Sequence, residues 1–331
     1  MAHQPPPMSF LSYLTRRTLL AIVAIYLVVS VTFGFVALTA NPEVARVAYV
    51  AGMQANQQDA NASERREMVQ SAIEEYREEH NLDEPILERY LSYLVRVTTL
   101  DWGTSQTLEK PVTSVLGGAI PTTLAYVVPA MLFALVGGVL VGVFGALEPG
   151  GVLGRLVTGT SYVGFAVPNY WIATVVLLLG VLPLGSATDG SGLATRVVLP
   201  AAILGVSLLA GQIRYARAEA REYVNMEFVK LLRAKGASTG RIARHVLKNA
   251  AIPLISLFFA DLLGVMVVNV FVLEKVIGIH GIGQVGLMAI QQRDLPLVIG
   301  IAMAIAIAGV LGNLIQDVSY RFVDPRVGAD D

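Results

Sequence analysis

A chain of 331 residues that is 54% hydrophobic and only 15% charged departs from an ordinary soluble domain, whose charged share is typically about 25%, and reads as an integral membrane protein. Its formal net charge of −1 conceals a division, because the ionisable residues gather in two polar segments and are almost absent between them. Cysteine is absent, which excludes disulfides and thiolate chemistry, and His3, His80, His245 and His280 have no metal-ligand spacing.

Residues 1 to 17 form a polar leader ending in Arg16 and Arg17, against which the apolar run Thr18 to Ala40 begins. About 20 such residues cross a hydrocarbon core of roughly 30 Å, whereas a cleavable signal carries only about 7 to 15. The run is therefore read as an uncleaved first span. Residues 41 to 118 are the longest polar segment, with thirteen Asp and Glu against seven Lys and Arg. Within it, Ser63 to His80 has the pattern of a helix, with Ser63 as N-cap, Glu67 near the capping-box distance and a narrow stripe of Met68, Ala72, Ile73 and Tyr76. A second helical pattern covers Pro85 to Val97 and closes at Trp102 and Gly103. Asn61-Ala62-Ser63 is a glycosylation sequon, meaningful only outside the cell in a host that glycosylates.

Span two is expected from Leu124 to Leu147, with Ala134, Gly138, Gly142 and Ala146 at every fourth position, a seam that admits another helix closely. Span three, Tyr162 to Val181, carries Pro168 and Asn169 in its first third, where a kink frees backbone groups that need partners. Span four is expected at Val197 to Ile213 and span five at Ile252 to Leu273, the latter with Asp261 and Asn269 inside it. Residues 274 to 296 are read as a loop, Leu297 to Val318 as span six, and residues 319 to 331 as a polar tail.

Between spans four and five lies a basic island, Arg214 to Pro253, with nine Lys and Arg against three Glu. Val224, Phe228, Leu231 and Leu232 recur at helical spacing while Arg221, Glu222, Glu227 and Lys230 fill the other face. Gly236 ends this helix, a second begins at Ser238 or Thr239 with Ile242, Val246 and Ala250 along one side, and Pro253 is read as the first-turn proline of span five. An exposed apolar ridge beside basic residues suits either a lipid-hugging cytosolic loop or a helix, glycine, helix device lying across the ends of membrane helices. With the N-terminus inside, the inner segments hold fourteen Lys and Arg against three, Arg196, Lys275 and Arg293, in the short outer loops. The positive-inside rule then places both termini and the island in the cytosol and the segment 41 to 118 outside.

No Gly-x-x-x-x-Gly-Lys, His-Glu-x-x-His or Gly-x-Ser-x-Gly occurs, and no paired intramembrane carboxylates suggest hydrolysis in the bilayer, so an enzyme is not expected. Asp261 is the one ionisable residue deep within an expected span, which marks either a pathway group or a structural hydrogen bond. A single acid is a poor proton relay, and an ion-coupled secondary transporter stands as the alternative reading. Asp317 and Arg321 are read as an ordinary helix-end pair.

Four blocks carry a family resemblance: YLTRRTLLAIVAIYLVVSVTFGFVAL; LDEPILERYLSYLVRVTTLDWGTS with KPVTSVLGGAIPTTL; EYVNMEFVKLLRAKGASTGRIARHVLKNAAIP; and FVLEKVIGIHGIGQVGLMAIQQRDLPLVIG with NLIQDVSYRFVDPRV. In this order they resemble the B-type permease subunits of ABC importers of the dipeptide, oligopeptide and nickel group. The resemblance implies an all-α membrane protein of six transmembrane helices, with a domain of residues 119 to 318 carrying a coupling loop at 214 to 250. It implies a second homologous permease, two ATPases and an extracytoplasmic binding protein as partners, with ATP and magnesium on the ATPases, no cofactor on this chain, lipid around it and no nucleic acid. Cargo would be peptides or similar small solutes, with nickel or sugars as alternatives. The coupling residues implied are Tyr223, Val224, Glu227, Phe228, Leu231, Leu232, Arg233, Ala234, Lys235 and Gly236, and Asp261 and Asn269 are assigned to the pathway. The general importer loop begins Glu-Ala-Ala, where this chain has Lys230, Leu231 and Leu232; only Gly236 fits, and Asn249 stands where that loop has proline. Thr39-Ala40-Asn41-Pro42 replaces the common Pro-Gly-Asp-Pro, and Glu43 to about Glu79 is read as an acidic elaboration facing the binding protein or the medium.

Overall fold

The computed structural model of the chain describes residues 10–38, 42–79, 82–148, 154–155, 159, 161–162, 164, 166–179, 192–264 and 269–323. Among these all regular secondary structure is helical, apart from one isolated bridge between Thr104 and Pro111. Two compact units divide the chain, Val23–Gly103 and the remainder.

The smaller unit holds most of α1 (Phe10–Leu38) together with α2 (Pro42–Gln57), α3 (Ala62–Glu79) and α4 (Ile86–Thr98). The expected cap of α3 is corrected by two residues. Asn61 Oδ1 accepts the Ser63 and Glu64 amides, both at 3.0 Å, and the Glu64 carboxylate accepts the Asn61 amide at 3.0 Å. The box is therefore Asn61 with Glu64, because asparagine caps as well as serine does and the acid stands three residues on. Helix α4 follows Pro85 and packs along α1. Phe33 lies 5.3 Å from the ring of Tyr90 and 5.5 Å from that of Tyr93, Ser30 hydrogen-bonds the Tyr90 hydroxyl at 2.7 Å, and Tyr26 meets Thr98 at 3.1 Å. Trp102 closes it as expected, donating to the Val97 carbonyl at 3.1 Å.

The larger unit is built on α5 (Val112–Leu147) and α7 (Leu199–Val224). Helix α5 starts at Val112 rather than Leu124, directly after Pro111, whose φ of −52° and ψ of 133° are not helical, and the internal Pro121 and Pro129 do not end it. The expected seam is its contact with α7. A Cβ on Gly138 would lie 2.6 Å from Gln212 Cβ, and one on Gly142 would lie 2.7 Å from both Ala216 Cβ and the Ile213 carbonyl oxygen. Only glycine admits so close an approach of two helices.

Between these two, α6 (Asn169–Leu178) begins immediately after Pro168, and a π-helical turn, Ala194–Val198, leads into α7. Span four therefore does not stop at Ile213; the helix runs on to Val224, since Tyr215 to Tyr223 continue the helical pattern with no breaker. Helix α8 (Glu227–Ala234) follows, then α9 (Thr239–Gly264). Pro253 lies inside α9 instead of opening a span, so the second island helix and the apolar run after it are one helix. Residues 274 to 296, read as a loop, are mostly helical: α10 (Val270–Ile277) and α11 (Ile282–Gln292) meet at 89° about a turn where Gly278 has φ of +84°. The left-handed conformation of Gly278 and the glycine at 281 break the helix there.

Helix α12 (Leu295–Val323) completes the unit, taking in residues 319 to 323 of the expected tail. Asp317 pairs with Arg17, at 3.3 Å, across 300 residues of chain. Tyr13 donates to the Asp317 carbonyl at 3.0 Å and fixes the same contact. Among the described residues four helices are long and apolar enough to cross a membrane, five if α10 and α11 form one bent span. The core of the unit joins Tyr126, Val127 and Ala130 of α5 to Leu204 of α7 and to Val270 and Leu273 of α10.

Candidate functional site

The basic island folds as a helix, turn, short helix, turn and helix at one end of the α5–α7 pair. Tyr223 and Val224 belong to the last turn of α7; Met226 is extended, with φ −69° and ψ 155°, and starts α8 in a new direction. Val229 of α8 is fully buried against Val143, Ala146 and Leu147 of α5, Ala220 of α7 and Ile242, Ala243 and Val246 of α9. Phe228, Leu232, Tyr223 and Val224 pack at the margin of that cluster. Most of the ridge expected to be exposed thus anchors α8 to its own chain. An isolated helix of eight residues is not stable in water, so α8 needs such a tertiary contact.

The other face of α8 is open. Met226 and Leu231 are 44% and 56% exposed, and Glu227, Lys230, Arg233, Ala234 and Lys235 are exposed with them. Gly236 has φ of +72° with nothing within 4 Å of a built Cβ, so its backbone, not crowding, demands glycine. The amides of Arg241 and Ile242 bond the Ser238 carbonyl, which makes Ser238 the N-cap position of α9, and Thr239 meets the Glu148 carboxylate at 3.3 Å, tying the island to the end of α5.

Of the residues assigned to a pathway, Asp261 lies in α9 and its side chain is outside the described residues. Asn269 precedes α10 and accepts a hydrogen bond from Asn169 at 2.8 Å. The Asn169 side chain, at the start of α6, thus has a protein partner just before α10.

Two buried acids escaped the sequence reading. Glu274 has no exposed surface; its Oε1 accepts Thr123 at 2.6 Å and Tyr126 at 2.9 Å, and its Oε2 accepts the amides of Gly283 at 2.8 Å and Gln284 at 3.1 Å. Asp294 accepts Ser105 at 2.6 Å, the Thr107 amide at 3.0 Å and the Leu297 amide at 3.2 Å. Burial opposes charge on Asp294, but the hydrogen bonds from Ser105, Thr107, Leu297 and Gln106 outweigh it and hold its carboxyl below the ordinary range. The available signal for Glu274 was an acid inside the apolar run FVLEKVI followed by three glycines.

A multi-pass helical membrane protein that presents a short, rigidly anchored amphipathic helix from one end of its bundle is the class these features define. The chain belongs to the family of binding-protein-dependent transport system inner membrane components, whose model matches residues 138–329. It is similar to the oligopeptide transport system permease protein AppB of Bacillus subtilis, 29% identical over 78% of this chain and 85% of that one. It is also similar to the oligopeptide transport system permease protein OppB of Mycobacterium tuberculosis, 30% identical with the same coverage of each, and to the metal-staphylopine import system permease protein CntB of Staphylococcus aureus, 25% identical over 77% and 82%. It is a permease subunit of an ABC importer and not itself a catalyst.

Proposed function

We propose that this chain forms half of the translocation pore of a peptide importer, pairing with a second permease, and that α8 is the element by which two partner ATPases drive it. The observation that carries this reading is the two-sidedness of α8. Val229, Phe228 and Leu232 fasten it to α5, α7 and α9, while Met226, Glu227, Lys230, Leu231 and Ala234 face outward. A push on the outer face would reach the α5–α7 pair through a packed contact, as a rigid-body change of access requires. ATP and magnesium belong to the ATPases, since the chain has no phosphate-cradling loop. In this reading there are six spans, the termini and island face the cytosol, an extracytoplasmic protein delivers cargo, and Asp261 and Asn269 border the path. Relatives named for oligopeptides, at 29 to 30% identity, favour peptide cargo over the metal-staphylopine named for one at 25%.

The test uses the assembled importer in vesicles. Gly236→Val, which cannot take a φ of +72° without strain, is expected to insert normally but to lose cargo-stimulated ATP hydrolysis. Gly236→Asn, which tolerates that region, retains most of it. Full coupled hydrolysis in Gly236→Val would remove the island from the coupling path.

A further inference from the structure

Helix α4 lies in the segment assigned by charge to the aqueous side, yet its partner is the apolar first span. It contacts Tyr26, Ser30 and Phe33, which follow Arg17 by nine to sixteen residues, roughly 13 to 24 Å along a helix rising 1.5 Å per residue. A hydrocarbon layer of about 30 Å covers that whole interval. The pairing is antiparallel, because Tyr26 meets Thr98 while Ser30 and Phe33 meet Tyr90.

At 100° per residue, Tyr90, Tyr93 and Val97 of α4 share the side turned to α1. Leu87, Leu91 and Val95 form the adjacent ridge, 64%, 53% and 64% exposed. On α1 the exposed Val23, Leu27, Val31 and Phe35 are likewise adjacent, in the same rotational sense, to its contact side. Two antiparallel helices with the same offset present their ridges on the same side, so the two stripes join into one apolar surface. Beyond the α4 ridge the helix turns polar at once, at Glu88, Ser92 and Arg96, and Arg96 is paired with Asp101 at 3.1 Å.

We propose that α4 is a membrane-inserted amphipathic helix, its Leu87–Leu91–Val95 ridge seated among lipid acyl chains as a continuation of the lipid-facing side of α1. A lipid surface fits better than a protein one. The ridge is aliphatic, without the Trp, Tyr or Arg anchors that dominate protein interfaces, while Tyr90, Tyr93 and Trp102 sit behind it as rings suited to the membrane boundary. The abrupt change from aliphatic to charged residues around the helix divides it into an apolar side and a polar one, as in amphipathic helices that bury one face in lipid. This inference is independent of cargo and of the coupling role of α8.

The absence of cysteine makes the test direct. Leu91→Cys and Val95→Cys, with Glu88→Cys and Ser92→Cys as controls, are labelled with an environment-sensitive fluorophore in the full chain. The chain is purified with its co-purifying subunits and reconstituted in phosphatidylethanolamine–phosphatidylglycerol vesicles. Brominated lipid is expected to quench the labels at 91 and 95 several-fold more than iodide does, with the reverse order at 88 and 92. Iodide quenching at 91 and 95 would put the ridge in water, and protection from both quenchers would put it against protein; either result overturns the proposal.

Discussion

Glu274 has four hydrogen-bond donors on its two oxygens, two from side chains of α5 and two from the first turn of α11. The amides at a helix N-terminus carry partial positive charge, so α11 is well placed to face a carboxylate. Thr123 serves twice, donating to Glu274 and accepting the Ile282 amide at 2.9 Å. A side chain at Gly281 would collide with both Glu274 Oε1 and Thr123 Oγ1, so glycine is required there by space. Glu274→Ala would strand these buried donors, each costing about 1–3 kcal/mol. The expected result is a detergent-solubilised protein with a markedly lower melting temperature, and Glu274→Gln, which keeps an acceptor oxygen, should fall between the two. Equal melting of Glu274→Ala and the native chain would show the cluster to be dispensable.

Asp294 supports a prediction about pH. Its folded-state pKa lies below the ordinary value of about 3.9, so it binds its proton more weakly folded than unfolded. The stability it contributes is complete above that ordinary value and is lost as pH falls through the lower folded value. The melting-temperature gap between the native chain and Asp294→Asn should therefore hold from neutrality down to about pH 4 and narrow below it. A gap that closed between pH 5 and 7 would assign the effect to another group.

At the scale of elements, the α5–α7 contact depends on atoms that are not there. A methyl at Gly142 would meet the Ile213 carbonyl oxygen and the Arg217 amide of α7, neither of which can move without moving the helix. A methyl at Gly137 would meet only Leu209 Cδ1, at 3.1 Å, the end of a flexible side chain. Gly142→Ala is expected to cost about 1–3 kcal/mol through overpacking, and Gly137→Ala distinctly less, read as thermal stability in one detergent. Equal losses would mean that α7 adjusts freely.

This seam was legible in the sequence because small residues every fourth position can do little else in an apolar helix. The stop at Gly236 was legible for a comparable reason, since a glycine after an amphipathic run is the usual left-handed terminator. The continuity of α9 through Pro253 was not. A proline is compatible both with a first turn and with the interior of a helix whose neighbours support it, and those neighbours are distant in sequence. For α8 the pattern identified an apolar side but not what it faces; Val229, the residue of that helix with no exposure, was not among those singled out.

For the whole molecule, composition and hydropathy determined that the chain enters a membrane several times, and the breakers and small residues located a few of the helix ends and one helix contact. These are local properties: burying apolar side chains and satisfying backbone groups within each segment depend on neighbours a few residues away. Tertiary structure decided which apolar faces meet protein, as in the Val229 cluster, and which remain open, as along Leu87, Leu91 and Val95. It also decided the polar contacts between Thr123 and Glu274, Ser105 and Asp294, and Arg17 and Asp317. Those partners are 151, 189 and 300 positions apart. No periodicity encodes such pairs, because each acid takes whatever donors the packed helices bring to it, and an acid with donors is stable in an interior where an acid without them is not.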